Sequence, residues 1–175
     1  TEVSPPGRGF LTDVVVGWEG EAARAAADGI RVVSLRIGVV LAKEGGALPR
    51  MLPPFRLGLG GRLGTGRQWM SWIHIRDLVA LIRLALSRED LEGPINAVAP
   101  EPVTNSSFTV ALARTLRRPA IIPAPAFALK VALGEMAGAL LLSSQRVIPK
   151  RLNDLGHTFM FPRVDVALQQ ILGRG

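Results

Sequence analysis

The sequence predicts an α/β fold, and three observations carry that prediction. An alanine-rich stretch with helical character ends near Asp28 and gives way to "IRVVSLRIGVVLA", a β-branched run that reads as a buried parallel strand. A helix followed by a buried strand is half of an α/β repeat. Further short strands, "WIHI" and "GPINAVAP", alternate with helical patterns. The chain has 175 residues, of which 48% are hydrophobic and 20% charged, so it can bury one sizeable core and is not disordered.

Each element has a local reason. Residues Thr1 to Gly9 form a polar Pro/Gly loop. Thr12 or Asp13 is expected to cap the first helix, and Gly29 to stop it. After the buried strand comes a long connection from Lys43 to Gln68, with a short helix near Leu48. A strand over Trp72 to Ile75 leads into a helix from Asp77 to Ser87. Apolar residues nearly encircle that helix, which predicts burial on more than one side. Thr104 caps the next helix, with Phe108, Ala111, Leu112 and Leu116 on one face. The tail reads as helix to about Ser143, then loop, then a last helix from Asp165 to Leu172. Neither an internal repeat nor a flexible linker is visible.

Composition excludes several functions. Without cysteine there are no disulfides and no thiolate metal sites. Two histidines, His74 and His157, do not make a zinc site, so no metal is expected. The net charge of +7 suggests an anionic partner, a phosphorylated small molecule or a nucleic acid. The basic residues look scattered, however, and the densest groups are Arg114, Arg117 and Arg118, then Arg146, Lys150 and Arg151. A solvated basic surface is expected before a nucleic-acid binder. The first ten residues lack the apolar run of a signal peptide, which predicts a cytoplasmic protein. The apolar segment from Ala124 to Leu142 is broken by Lys130, Gly134, Glu135 and Gly138, so it reads as buried helix and not as a membrane span.

Chemistry-bearing residues are few. The stretch "GRQWMSWIHIRDLV", residues 66 to 79, combines two tryptophans, a histidine and arginines, more than a plain core strand needs. Arginine suits a phosphate and an aromatic ring suits a planar ligand, so Arg67 and Trp69 are candidate substrate residues, while Trp72 is expected in the core. His74 is either a satisfied structural histidine or a substrate-facing one. Arg36 sits inside an apolar strand and requires a carboxylate or a phosphate, from an internal ion pair or from a ligand. The glycine-rich stretch Gly58 to Gly66 follows a Pro-rich turn instead of a strand, so it reads as loop and not as a phosphate cradle. Asp13, Glu19 and Glu21 read as a solvated helix face.

The order of segments resembles a known superfamily. "WEGEA", "RVVSLRIGVVL", "GGALPRMLPPFRLGLGGRLGTGRQWMSWIHIRDL", "GPINAVAP" and "PVTNSSF" are similar to the extended short-chain dehydrogenase/reductases, and within them to the NAD-dependent epimerase/dehydratase-like subfamily. The tail "LLLSSQRVIPKRLNDLGHTFMFPRVDVAL" resembles the DUF1731 domain of that subfamily.

The resemblance implies a Rossmann-like fold. Residues 1–100 would be the C-terminal part of an NAD(P)-binding domain with its substrate loop, a partial parallel sheet. Residues 101–175 would be a mainly helical DUF1731-like domain. The family's glycine-rich cofactor turn does not occur in this sequence, so the chain is expected to be the C-terminal part of a longer protein, inactive alone. NAD(P), with NADP preferred, is the implied cofactor. Arg36 and the strand end Gly38, Val39 and Val40 are the implied contacts to it, and Arg67, Gln68, Trp69 and His74 the implied contacts to a nucleotide-sugar or other small-molecule substrate. A homodimer, or association with the missing half, is the implied assembly. The superfamily's catalytic Tyr-x-x-x-Lys does not match. Aligned on Glu21, its positions hold Asp13 and Gly17, and the chain has no tyrosine. No catalytic residue is therefore assigned. The alternatives are a non-catalytic dinucleotide-binding regulator, of the kind labelled a cell-division inhibitor in this family, and a basic nucleic-acid-binding module.

Overall fold

Gly38 marks the point where the central strand changes neighbours. The computed structural model describes residues 1–125 and 143–173. In it the strand expected to be buried forms two pieces, β1 (Val33–Ile37) and β2 (Val39–Leu41), which are mostly half-buried: only Leu41 is buried and Ile37 is exposed. Strand β1 pairs in parallel with β5 (Gly93–Ala97), Val33 opposite Gly93 and Ile37 opposite Ala97. Strand β2 pairs in parallel with β4 (Trp72–His74), Val39 opposite Trp72 and Leu41 opposite His74. At the switch, the Gly38 N–H donates to the Ala97 carbonyl (3.2 Å) and the Val39 N–H to the Ser71 carbonyl (2.8 Å). A Cβ at Gly38 would lie 2.8 Å from both the Ser71 oxygen and a Val98 methyl, so crowding between strands requires glycine here. A short antiparallel pair, β3 (Trp69–Met70) with β6 (Val103–Thr104), completes the strands among the described residues.

Two cores flank this sheet. Side chains alternate across a strand, and β4 shows the consequence. Trp72 enters a core with Leu41, Leu48, Phe108, Leu112 and Leu168. Its neighbour Ile73 enters a second core with Leu78, Leu81, Ile95, Leu152 and Phe159. Burial of Trp72 is complete, as its sequence context predicts, and its indole N–H donates to the Glu101 carbonyl at 3.0 Å.

The helices differ from expectation in instructive ways. Helix α1 spans Phe10–Ala27, and Gly9 at φ 108° precedes it in the N-cap position. Thr12 and Asp13 therefore lie within the first turn and do not cap it. No residue of α1 is buried. Helix α2 is Leu48–Arg56, as placed. Helix α3 is Ile75–Ser87 and starts before Asp77 because the His74 ring caps it, accepting from the Arg76 N–H at 3.0 Å. It is not buried all round: Leu78, Leu81 and Ala85 face the core, whereas Val79, Ile82 and Leu86 are exposed. Helix α4 is Asn105–Leu116, capped by Thr104 Oγ1 from the Ser107 N–H. A short helix α5 (Lys150–Asp154) occupies a stretch that reads as loop, and α6 is Val164–Leu172. The helix expected up to Ser143 falls largely on residues 126–142, outside the described residues.

Candidate functional site

The stretch from Arg67 to Trp72 is held in place from three directions. From α4, the Asn105 side chain accepts from the Leu63 N–H (2.8 Å), while the backbone N–H groups of Asn105 and Ser106 donate to the carbonyls of Gln68 and Gly66 (both 2.9 Å). From within its own loop, Gln68 Nε2 donates to the Leu63 carbonyl at 3.0 Å. From the tail, residues 143–149 run across β3 and β4. The Trp69 N–H donates to Ser144 Oγ (3.0 Å), and the Gln145 N–H donates to the Trp69 carbonyl (3.2 Å). Buried Ser71 completes the join: its hydroxyl donates to the Gln145 carbonyl (2.8 Å) and accepts from the Val147 N–H (2.9 Å).

This join brings Arg146 onto Trp69. The guanidinium carbon lies 4.8 Å from the indole centroid, within cation–π range. Arg146 and Arg67 are both exposed, and neither meets a carboxylate among the described residues. Trp69 is half-buried, one face carrying the guanidinium. An aromatic plate carrying an uncompensated guanidinium, with Arg67 two residues before it in the chain, is chemistry for an anionic ligand with a flat ring. Sequence reading groups Arg146 with Lys150 and Arg151 and misses this role. The pairing spans 77 positions, from Trp69 to Arg146, and no local pattern announces it.

His74 is not part of this rim. Its side chain is fully buried, its Nδ1 accepts the Arg76 N–H, and its Nε2 meets Gln170 Oε1 at 2.8 Å. The cap makes Nδ1 the acceptor, so the neutral ring carries its proton on Nε2 and donates it to Gln170. Phe161 stacks on the ring at 3.9 Å. Burial lowers the pKa of His74, against the raising effect of the Gln170 hydrogen bond. The substrate-facing expectation thus gives way to the structural one. Buried Asp77 is a second structural group that sequence reading passes over: its two carboxylate oxygens accept the N–H groups of Met160 (2.8 Å) and Phe161 (3.0 Å).

Arg36 has an internal carboxylate. Its Nε and one terminal nitrogen donate to the two oxygens of Glu19 at 2.7 and 2.6 Å, and the other terminal nitrogen donates to the Glu2 carbonyl at 3.0 Å. Glu19 holds the Arg36 pKa above its ordinary value, and Arg36 holds the Glu19 carboxyl below its own. The requirement for a counter-charge is met within the chain. Glu19 is therefore an ion-pair residue and not part of a freely solvated acidic face.

The fit of a dinucleotide is partial. Gly38, Val39 and Val40 lie together along the central strand, but the space beside Gly38 is filled by Ser71 and Val98. The N–H groups of Gly38 and Val39 are spent on the sheet. The glycine-rich loop is no cradle either. Ile122 and Ala124 pair with the carbonyls of Gly60 and Arg62, and Gly61 leaves no room for a side chain against Ile122. Among the described residues no glycine-rich turn links a strand to a helix N-terminus. The helix that would carry the Tyr-Lys pair shows exposed Asp13 and Gly17 at those positions. No group of three or more potential metal ligands occurs among the described residues.

Comparison with known proteins agrees with this architecture. Residues 13–98 match the NAD dependent epimerase/dehydratase family, and residues 124–171 match DUF1731, a domain of unknown function. Epimerase family protein SDR39U1 homolog, chloroplastic, from Arabidopsis thaliana is 46% identical over 171 residues, covering 98% of this chain and 49% of the relative. The human SDR39U1 protein is 42% identical over 163 residues, covering 93% of this chain and 55% of its own length. The crystal structure of human SDR39U1 (isoform 2) with NADPH superposes with a TM-score of 0.88 at 39% identity, over 98% of this chain and 58% of that one. A nucleoside-diphosphate sugar epimerase from Corynebacterium glutamicum gives 0.80 at 36% identity, over 98% and 33%. The chain spans about half the length of the curated relatives it matches. The fold is Rossmann-like, a parallel sheet with helices, and the chain belongs to the NAD-dependent epimerase/dehydratase family, with a DUF1731 segment at residues 124–171.

Proposed function

We propose that this chain is the substrate side of an NAD(P)-dependent epimerase- or reductase-like protein, and that Arg67, Gln68, Trp69 and Arg146 form the rim that binds a nucleotide-sugar or a related anionic small molecule. The observation that carries this reading is the Arg146 guanidinium stacked on Trp69, with no carboxylate on it among the described residues. The cofactor bound by the human relative, NADPH, supports NADP over NAD as the dinucleotide. Gly38 to Val40 would contribute only strand backbone on the nicotinamide side. Arg36, satisfied by Glu19, is not retained as a cofactor contact.

A second reading follows from Asp13 and Gly17, which stand on α1 where the superfamily's tyrosine and lysine would be. Without the tyrosine–lysine pair at those positions, binding of dinucleotide without turnover is the alternative. Assaying NADPH oxidation by the 175-residue chain with nucleotide-sugar present tests both at once. The chain alone is expected to show weak dinucleotide binding and no tyrosine-dependent turnover. Sub-micromolar NADPH affinity or measurable hydride transfer would overturn that expectation.

A further inference from the structure

The basic residues of this chain are segregated once its acids are counted. From Gly45 to Arg76 there is no Asp or Glu and there are five arginines, Arg50, Arg56, Arg62, Arg67 and Arg76. From Pro102 to Pro125 there is again no acid, with Arg114, Arg117 and Arg118. These eight arginines, out of 21 basic residues, leave 13 against 14 acids elsewhere, a balance of −1. The whole net charge of +7 therefore resides in two stretches.

The fold lays those stretches side by side. The Ile122 N–H donates to the Gly60 carbonyl, the Ala124 N–H to the Arg62 carbonyl, and the Gly64 N–H to the Ala124 carbonyl. Gly58 abuts the Pro119 ring. Where the two loops run together, aliphatic side chains stand in solvent: Leu57, Leu59, Ile121 and Ile122 are 74%, 56%, 80% and 48% exposed. Arg56 precedes the first pair, and Arg117 and Arg118 precede the second. An open concavity of about 360 Å³ beside them is lined by Arg114, Arg117 and Arg118 over Val110, Ala113 and Pro119. None of these arginines pairs with a carboxylate among the described residues. Arg117 caps α4 at φ 53°, the left-handed conformation that glycine ordinarily takes, and it is the one non-glycine with positive φ among the described residues.

We infer that this face docks on an anionic lipid surface, with Leu57, Leu59, Ile121 and Ile122 entering the headgroup boundary and Arg56, Arg114, Arg117 and Arg118 meeting lipid phosphates. Clustered arginines beside exposed aliphatic tips are the chemistry of interfacial adsorption, and the long arginine stems let charge and apolar contact coexist. A single-stranded nucleic acid favours aromatic platforms, which these loops lack, and duplex DNA is the competing outcome of the vesicle test. No helix among the described residues is long and apolar enough to cross a membrane, and adsorption requires none.

Sedimentation with vesicles of phosphatidylcholine alone, and with phosphatidylserine added, tests this face directly. The unaltered chain is expected to bind the anionic vesicles, to release them as salt rises, and to ignore the neutral ones. Arg117→Ala and Arg118→Ala should each lower partitioning about fivefold. Leu57→Ser and Ile121→Ser should each lower it about tenfold at unchanged charge. All four side chains are exposed, so the folded state should tolerate the changes, and circular dichroism verifies this. Absence of vesicle binding by the unaltered chain overturns the inference whatever the variants do. It is also overturned if the serine variants bind as well as the parent while duplex DNA displaces the chain from vesicles, since the face would then be a nucleic-acid surface.

Discussion

Arg36 and Glu19 close a two-point fork, 2.7 and 2.6 Å, between the central strand β1 and helix α1. Because α1 buries no residue of its own, this fork is a main tether of the helix to the sheet. Glu19→Gln removes the charge and one acceptor. The expected cost is about 1–2 kcal/mol, reduced by partial exposure of the pair, with faster amide exchange along α1 and unchanged exchange in β5. Equal exchange along α1 in Glu19→Gln and in the unaltered chain would show that α1 is held by something else.

Trp69 and Trp72 stand three residues apart and do different work. Trp72 is fully buried in the first core, so Trp72→Ala should cost about 3–5 kcal/mol. Trp69→Ala should cost about 1 kcal/mol, the value of a half-exposed ring and its cation–π contact. Denaturant melts of the two variants check this; equal losses contradict the division of roles.

Acid should destabilise the fold through its histidines. Burial lowers the pKa of both His74 and His157. The unfolded chain therefore takes up protons at about pH 6.5 that the folded chain refuses. Stability should be full above that pH and fall as pH drops through it. His74→Asn should flatten the slope between neutral and mildly acidic pH, measured by chemical denaturation at several pH values. An unchanged slope would mean that His74 titrates normally.

Asp77 ties the start of α3 to Met160 and Phe161, which in turn place Phe161 on the His74 ring. Asp77→Asn replaces one acceptor by a donor facing an N–H, and an expected loss of about 2–3 kcal/mol follows. Loss of the ring-current shift on His74 in proton spectra would accompany it. Retention of that shift would show that Phe161 is placed without Asp77.

The outer side of α1 and β1 bears Phe10, Trp18 and Ile37, exposed at 78%, 72% and 52%. Strand β1 is hydrogen-bonded to β5 on one edge, and no second strand pairs with it among the described residues. An open apolar edge of this kind templates association. The chain is expected to dimerise, or to bind the other half of a full-length relative. Light scattering on a sizing column checks it; a monodisperse monomer with slow amide exchange along Val33 to Ile37 would contradict it.

The parallel strands, the helices after them and the buried Trp72 were legible in the sequence, because β-branched runs and period-2 alternation are local signals. The start of α3 was not, because a histidine seldom caps a helix and only the folded ring position reveals the bond to Arg76. His74 itself read ambiguously for the same reason: burial and the distant Gln170 decide its role. Arg36 announced its need for a counter-charge, but Glu19 lies 17 positions away on another element. Arg146 was legible as charge and illegible as a site residue, since its place on Trp69 depends on how the tail crosses β3.

The proposed ligand rim is tested most directly by the indole N–H signals of the three tryptophans in nitrogen-labelled protein, assigned by single substitutions and followed while a nucleoside-diphosphate sugar is added. If Trp69 and Arg146 form the site, the Trp69 signal moves saturably while the Trp72 signal stays fixed, and Arg146→Ala weakens the response about tenfold or more. A Trp69 signal that does not move at ligand saturation, or one that moves equally in Arg146→Ala, contradicts the proposed site.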